Sequence, residues 1–126
     1  MKVFLANALS ISMFFNYLKP GEYIDVRIKE LDMEDVKKIL NESENKGDLI
    51  ISAIGHQTTA DFLSEILGRE ITANRFDVRY DNESKCIIVF VLGERLPEGK
   101  ILTKNELEQY KNKIRAFSVS LPHRAK

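Results

Sequence analysis

The run Leu49-Ile50-Ile51-Ser52-Ala53-Ile54 passes without a break into Gly55-His56-Gln57-Thr58-Thr59, and this junction restricts the fold more than any other feature. A short apolar run of this kind reads as a strand covered on both faces, the habit of strands in parallel sheets. Helical spacing follows, with Ala60, Leu63, Ile66 and Leu67 on one side and Gly68 as the stop. Thr58 and Asp61 stand at capping-box distance. The carboxyl end of a strand feeding the amino end of a helix is where open α/β sheets place ligands.

The rest of the chain supplies companions for this unit. Val3-Phe4-Leu5-Ala6 reads as a short buried strand, and Ser10 to Phe15 as a short helix closed by Pro20-Gly21. Tyr23 to Ile28 alternates like an edge strand. Asp32-Met33-Glu34-Asp35 opens a helix with acid in its first turn, and Val36, Ile39 and Leu40 form its apolar stripe. Phe76 to Tyr80 alternates cleanly, Asp81 to Ser84 is a turn, and Lys85 to Leu92 would pair back as a hairpin. After the polar stretch from Gly93 to Lys100, Thr103 and Glu106 carry a capping signature for a last helix through Tyr110, and Ile114 to Val119 adds a strand. The expected fold is a single α/β domain over residues 1–121, a mixed β-sheet of about five strands flanked by helices, with 122–126 a disordered tail.

Composition removes several function classes. Lys and Arg number 19 and Asp and Glu 19, so no global field marks a long nucleic acid as partner. The single cysteine, Cys86, lies in the apolar run Cys86 to Leu92 and reads as a buried strand residue. No stretch approaches the ~18 apolar residues that span a membrane. Asn7, Ser10, Ser12 and Asn16 interrupt the apolar amino-terminal segment, so a signal peptide is not expected and the cytoplasm is the expected compartment, the host's for a viral protein. His56 and His123 are the only histidines, and neither His-Glu-x-x-His nor paired-carboxylate spacing occurs. Gly-x-Ser-x-Gly, P-loop and Rossmann fingerprints are missing as well, so no metal and no cofactor is expected.

What remains is acid–base chemistry on an anion. The free N–H groups of a helix start attract phosphate, and Gly55 lets backbone approach a ligand closely. Histidine, with an ordinary pKa near ~6.5, gives or takes a proton at neutral pH. Thr58 and Thr59 add hydroxyls beside it. Arg75, Arg95 and Lys100 are candidate phosphate grips, and Glu98 could orient a histidine or a hydroxyl. On spacing alone the plainer alternatives stand alongside: His56 as a helix cap, the basic residues as solvated surface, Glu98 as an exposed loop acid. An RNA-like phosphate suits a lone histidine, because its own 2′-hydroxyl is the nucleophile.

Four motifs occur in order: Val3-Phe-Leu-Ala-Asn-Ala8 with Ser10, Ser52-Ala-Ile-Gly-His56 with Thr59, Asn74-Arg75, and Arg95-Leu-Pro-Glu-Gly-Lys-Ile-Leu-Thr103. From about Val3 to Tyr110 the chain resembles the viral ring nucleases, anti-CRISPR enzymes of archaeal viruses, phages and some bacterial genomes. The resemblance implies a homodimer that destroys cyclic tetra-adenylate, the messenger of type III CRISPR immunity, without metal. It implies His56 as the general acid, with Arg95 and Glu98 near the scissile phosphate and Asn7, Ser10 and Arg75 on the ligand. The chain departs from the pattern at Ser12, where relatives carry Asn, and at Val91, where they carry a strand Gln. Both departures remove side-chain hydrogen bonds and bear on ring size and affinity. Two rival functions remain: a module that sequesters the messenger uncleaved, and a dimeric DNA-binding regulator.

Overall fold

Val3 to Ala6 and Cys86 to Phe90 leave no side for water, and both runs lie inside a five-stranded sheet. The computed structural model describes residues 1–93 and 103–122. Its elements are β1 (Lys2–Ala6), a 3-10 helix (Ile11–Tyr17), β2 (Arg27–Leu31), α1 (Met33–Asn45), β3 (Leu49–Ala53), α2 (Gln57–Leu67), β4 (Ser84–Leu92), α3 (Lys104–Lys111) and β5 (Ile114–Ser120). The strand order is β2-β5-β4-β1-β3. β3, β1 and β4 run parallel, while β5 is antiparallel to both β4 and β2. The expected mixed α/β sheet is the one observed.

The sheet buries its two faces unequally. Val3, Leu5, Cys86, Ile88, Phe90, Ile114 and Ala116 meet Val36 and Leu40 of α1 and Phe62, Leu63 and Ile66 of α2, with Leu107 and Tyr110 of α3 packed at the margin. The alternate residues Phe4, Ala6, Ile87, Val89 and Val119 are covered by Met13 and Phe14 of the 3-10 helix and by Val78 and Tyr80. Burial in the first cluster pushes the Cys86 thiol up, so it stays protonated and unreactive.

Several sequence expectations need correction. β3 is an edge strand whose two faces are only partly covered: Ile50 packs on one core cluster and Ile51 on the other, but Leu49 is 63% exposed and full burial begins at Ala53 and Ile54. The strand expected over Tyr23 to Ile28 begins at Arg27, because Arg27 pairs with Ser120, the last residue of β5, where the ladder between the two strands ends. No hairpin joins Phe76–Tyr80 to β4, whose two edges are already taken by β1 and β5. The alternation there is real, but it reports a segment lying on a sheet face, with Val78 and Tyr80 buried and the Phe76 ring stacked on Phe4 at 6.1 Å. The turn at Asp81 does form. The capping boxes at Asp32/Asp35 and Thr103/Glu106 are both closed, and Gly68 ends α2 with φ 65°.

The amino end of β1 is tied to the turn before β4. Lys2 donates to Asp81 at 2.6 Å, and Glu83 N–H and Ser84 Oγ donate to the same carboxylate. The Lys2 ammonium is the main reason the Asp81 carboxyl sits below the usual range. A depressed folded pKa stabilises the fold above the unfolded value, near ~3.9, and that stability is lost as pH falls through the folded value. Thermal melts taken from about pH 5 down to pH 2 are expected to fall more steeply for the wild type than for Asp81→Asn. Parallel curves would show that the contact contributes nothing.

Candidate functional site

The three parallel strands release their chains at one edge of the sheet. Ala6 of β1 is level with Ala53 of β3 and with Val89 of β4. Exposed Asn7 therefore follows β1 beside the point where Ile54-Gly55-His56 follows β3. β4 runs on to Leu92 and ends at Gly93 on the same edge. Arg95, Glu98 and Lys100, which follow Gly93 in the chain, lie outside the described residues.

His56 is the N-cap residue of α2 with φ −123° and ψ 133°, and its side chain makes no capping bond. Its carbonyl accepts the first helical bond, from Ala60 N–H at 3.0 Å. The cap is thus a backbone role, and the imidazole is exposed and uncommitted among the described residues. The box expected from Thr58 to Asp61 is not formed, because the helix starts two residues earlier and Asp61 accepts instead from Gln57 Nε2 at 2.8 Å. Thr58 and Thr59 stand half-buried in the first turn, where amides ahead of Ala60 have no intrahelical acceptor.

Arg75 comes to this turn from a distant part of the chain. A methyl placed on Gly55 would lie 4.0 Å from Arg75 Cγ, in ordinary contact. Arg75 does not begin a strand; Phe76 N–H donates to Asn74 O at 3.0 Å and makes Arg75 the apex of a tight turn. Asn74 N–H donates to Ile54 O at 2.7 Å, and Asn74 Nδ2 to Ser52 O at 2.8 Å. Ser52 Oγ donates to Thr72 O at 2.6 Å. In the sequence Ser52 and Asn74 stand only as letters of motifs, and the serine inside an apolar strand is the one local sign that this edge is tied to something.

Ser10 and Ser12 open the 3-10 helix after Asn7, their hydroxyls 2.7 Å apart. Val91 is 45% exposed on β4, shortly before Gly93. The structure therefore joins Gly55, His56, Thr58, Thr59 and Arg75 in one place, sets Asn7 on the adjoining strand end, and continues from there to Ser10 and Ser12. A depression of about 830 Å³ along the outer side of α2 begins at Gln57, but Asp61, Glu65 and Glu70 line it, and Arg69 beside them is paired with Glu44. That lining repels anions, whereas the strand-end edge carries exposed Arg75 beside Gly55 and the first amides of α2. Among the described residues, no group of three or more His, Cys, Asp or Glu could hold a metal ion, and no helix is long and apolar enough to cross a membrane.

Comparison with known proteins places these residues in a lineage. Protein 26 of Sulfolobus islandicus filamentous virus, itself uncharacterized, is 38% identical over 103 residues, covering 81% of this chain and 82% of its own. YddF of Bacillus subtilis, also uncharacterized, is 32% identical over 109 residues, covering 86% of this chain and 89% of its own. The solved structure of B116 of Sulfolobus turreted icosahedral virus superposes with a TM-score of 0.75 at 30% identity, over 94% of this chain and 98% of that one. With residues 3–116 matched by its family model, the chain belongs to the STIV B116-like family.

Proposed function

We propose that the chain is a metal-independent ring nuclease that opens cyclic tetra-adenylate and so silences type III CRISPR signalling. The observation that carries this reading is the His56 imidazole, exposed, free of any capping duty and set at the helix start next to Gly55, which Arg75 approaches. The substrate 2′-oxygen attacks its neighbouring phosphorus, the new P–O2′ bond forms, and the P–O5′ bond breaks. The 2′-hydroxyl proton leaves to solvent, and His56 delivers a proton to the departing 5′-oxygen. The product ends in a 2′,3′-cyclic phosphate, and two such cuts give two linear di-adenylates.

Arg75 and the first amides of α2 grip phosphate oxygens in this scheme, while Asn7, Ser10 and Ser12 contact the ring. Arg95, Glu98 and Lys100, which lie outside the described residues, enter from the sequence alone, with Glu98 as an orienting group. A homodimer fits the scheme, because a two-fold assembly matches the symmetry of the ring and gives each half its own His56. The site of action is then the cytoplasm, the host's where the chain is virus-encoded.

The test is incubation with labelled cyclic tetra-adenylate in excess EDTA, with products resolved by chromatography. Linear di-adenylate carrying a 2′,3′-cyclic phosphate is the expected product. Tight binding without cleavage would make the protein a sponge for the messenger. No binding, with duplex DNA retained instead, would sink both messenger readings.

A further inference from the structure

We infer that Asn74, acting with Ser52, is the positioning residue that holds Arg75 over Gly55 and so sets the phosphate grip of the site. The inference deepens the ring-nuclease reading and rests on it. Asn74 commits backbone and side chain to the same strand end: its N–H bonds Ile54 O at 2.7 Å and its Nδ2 bonds Ser52 O at 2.8 Å. Ser52 answers with its hydroxyl, donating to Thr72 O at 2.6 Å while accepting from Ile54 N–H at 3.3 Å. The segment from Thr72 to Asn74 is thereby stitched along the last residues of β3 and the turn into His56.

Downstream of Arg75 the second anchor is Phe76, whose N–H returns to Asn74 O and whose ring stacks on buried Phe4. Arg75 stands exposed between the two anchors with no carboxylate of the described residues against it. Exposed hydrogen bonds of this kind add little to global stability. Their effect is geometric, because they define where Arg75 meets the turn at Gly55. Only a short side chain with an N–H donor satisfies Ser52 O while its own backbone N–H reaches Ile54 O. Aspartate has the shape without the donor, and alanine has neither.

The test uses the full chain in a His56→Ala background, so that binding of cyclic tetra-adenylate is read without cleavage. Asn74→Ala and Asn74→Asp are each expected to weaken binding about tenfold to a hundredfold, the scale of a misplaced contact. Combined with Arg75→Ala, neither is expected to weaken binding further, because the two residues act as one unit. With His56 restored, the loss should fall on KM and leave kcat close to the wild-type value. An equal loss in the Arg75→Ala background, or no loss at all, overturns the inference. A ligand-free arm keeps the test independent of the functional reading: backbone 15N order parameters at Arg75 and Phe76 should drop in Asn74→Ala. Wild-type protein that binds no cyclic tetra-adenylate defeats the ring-nuclease reading; unchanged order parameters defeat the positioning role.

Discussion

Replacing His56 by alanine is expected to slow opening of cyclic tetra-adenylate by about 10²–10⁴-fold, the range a placed proton donor supplies, while the ring still binds. The fold should tolerate the change. The His56 side chain makes no capping bond, and its carbonyl, which alanine keeps, accepts the first bond of α2. Surface substitutions of this sort shift stability by no more than about 0.5 kcal/mol. Lost activity would therefore not be lost protein. His56→Gln sharpens the test, since glutamine can hold a ligand by hydrogen bonds but delivers no proton at neutral pH. Single-turnover rates for the three proteins at saturating ring should place glutamine with alanine. A glutamine variant at full speed would reduce His56 to an orienting group, and an alanine variant at full speed would remove it from the chemistry.

What could be read ahead of the structure divides by the range of the interactions involved. The Thr103/Glu106 capping pair and the Gly68 stop are set within a few residues and are present as expected; the acid-rich start at Asp32 also closes a capping box, while the Thr58/Asp61 pair does not form. Strand partners are chosen across long stretches of chain, so local pattern names a strand without naming its neighbour. Tyr23 to Ile28 alternates over its whole length, yet the end of β5 at Ser120 decides where its ladder starts. Phe76 to Tyr80 alternates because a sheet face lies under it, and period two alone cannot separate that from pairing. The site shows the same division. Gly55 and His56 were visible as a local junction, but the approach of Arg75 depends on bonds between Ser52 and residues 20 and 22 positions away.

The second large effect expected is on stability. Phe4→Ala should cost about 3–5 kcal/mol, the usual penalty for emptying a buried phenylalanine site. Phe4 is 1% exposed, flanked in the sheet by Ile51 and Ile87, and it carries the weight of the second face together with Phe14, Val78 and Tyr80. Among the described residues that face is covered by the 3-10 helix and by the segment through Val78 and Tyr80. Phe76→Ala is the comparison, because it removes the other member of the stacked pair from a position already 46% exposed. Its loss should stay near the value of an aromatic contact, roughly 0.5–1.5 kcal/mol. Urea unfolding separates the two: both midpoints should fall with the slope unchanged, and the fall for Phe4→Ala should be the larger by about threefold. Phe76→Ala should also loosen the downstream anchor of Arg75 and weaken ring binding, which Phe62→Ala in the opposite cluster should not do at temperatures where it remains folded. Equal midpoints for Phe4→Ala and Phe76→Ala would mean that the segment over β1 is not docked, and the placement of Arg75 would lose its support on that side.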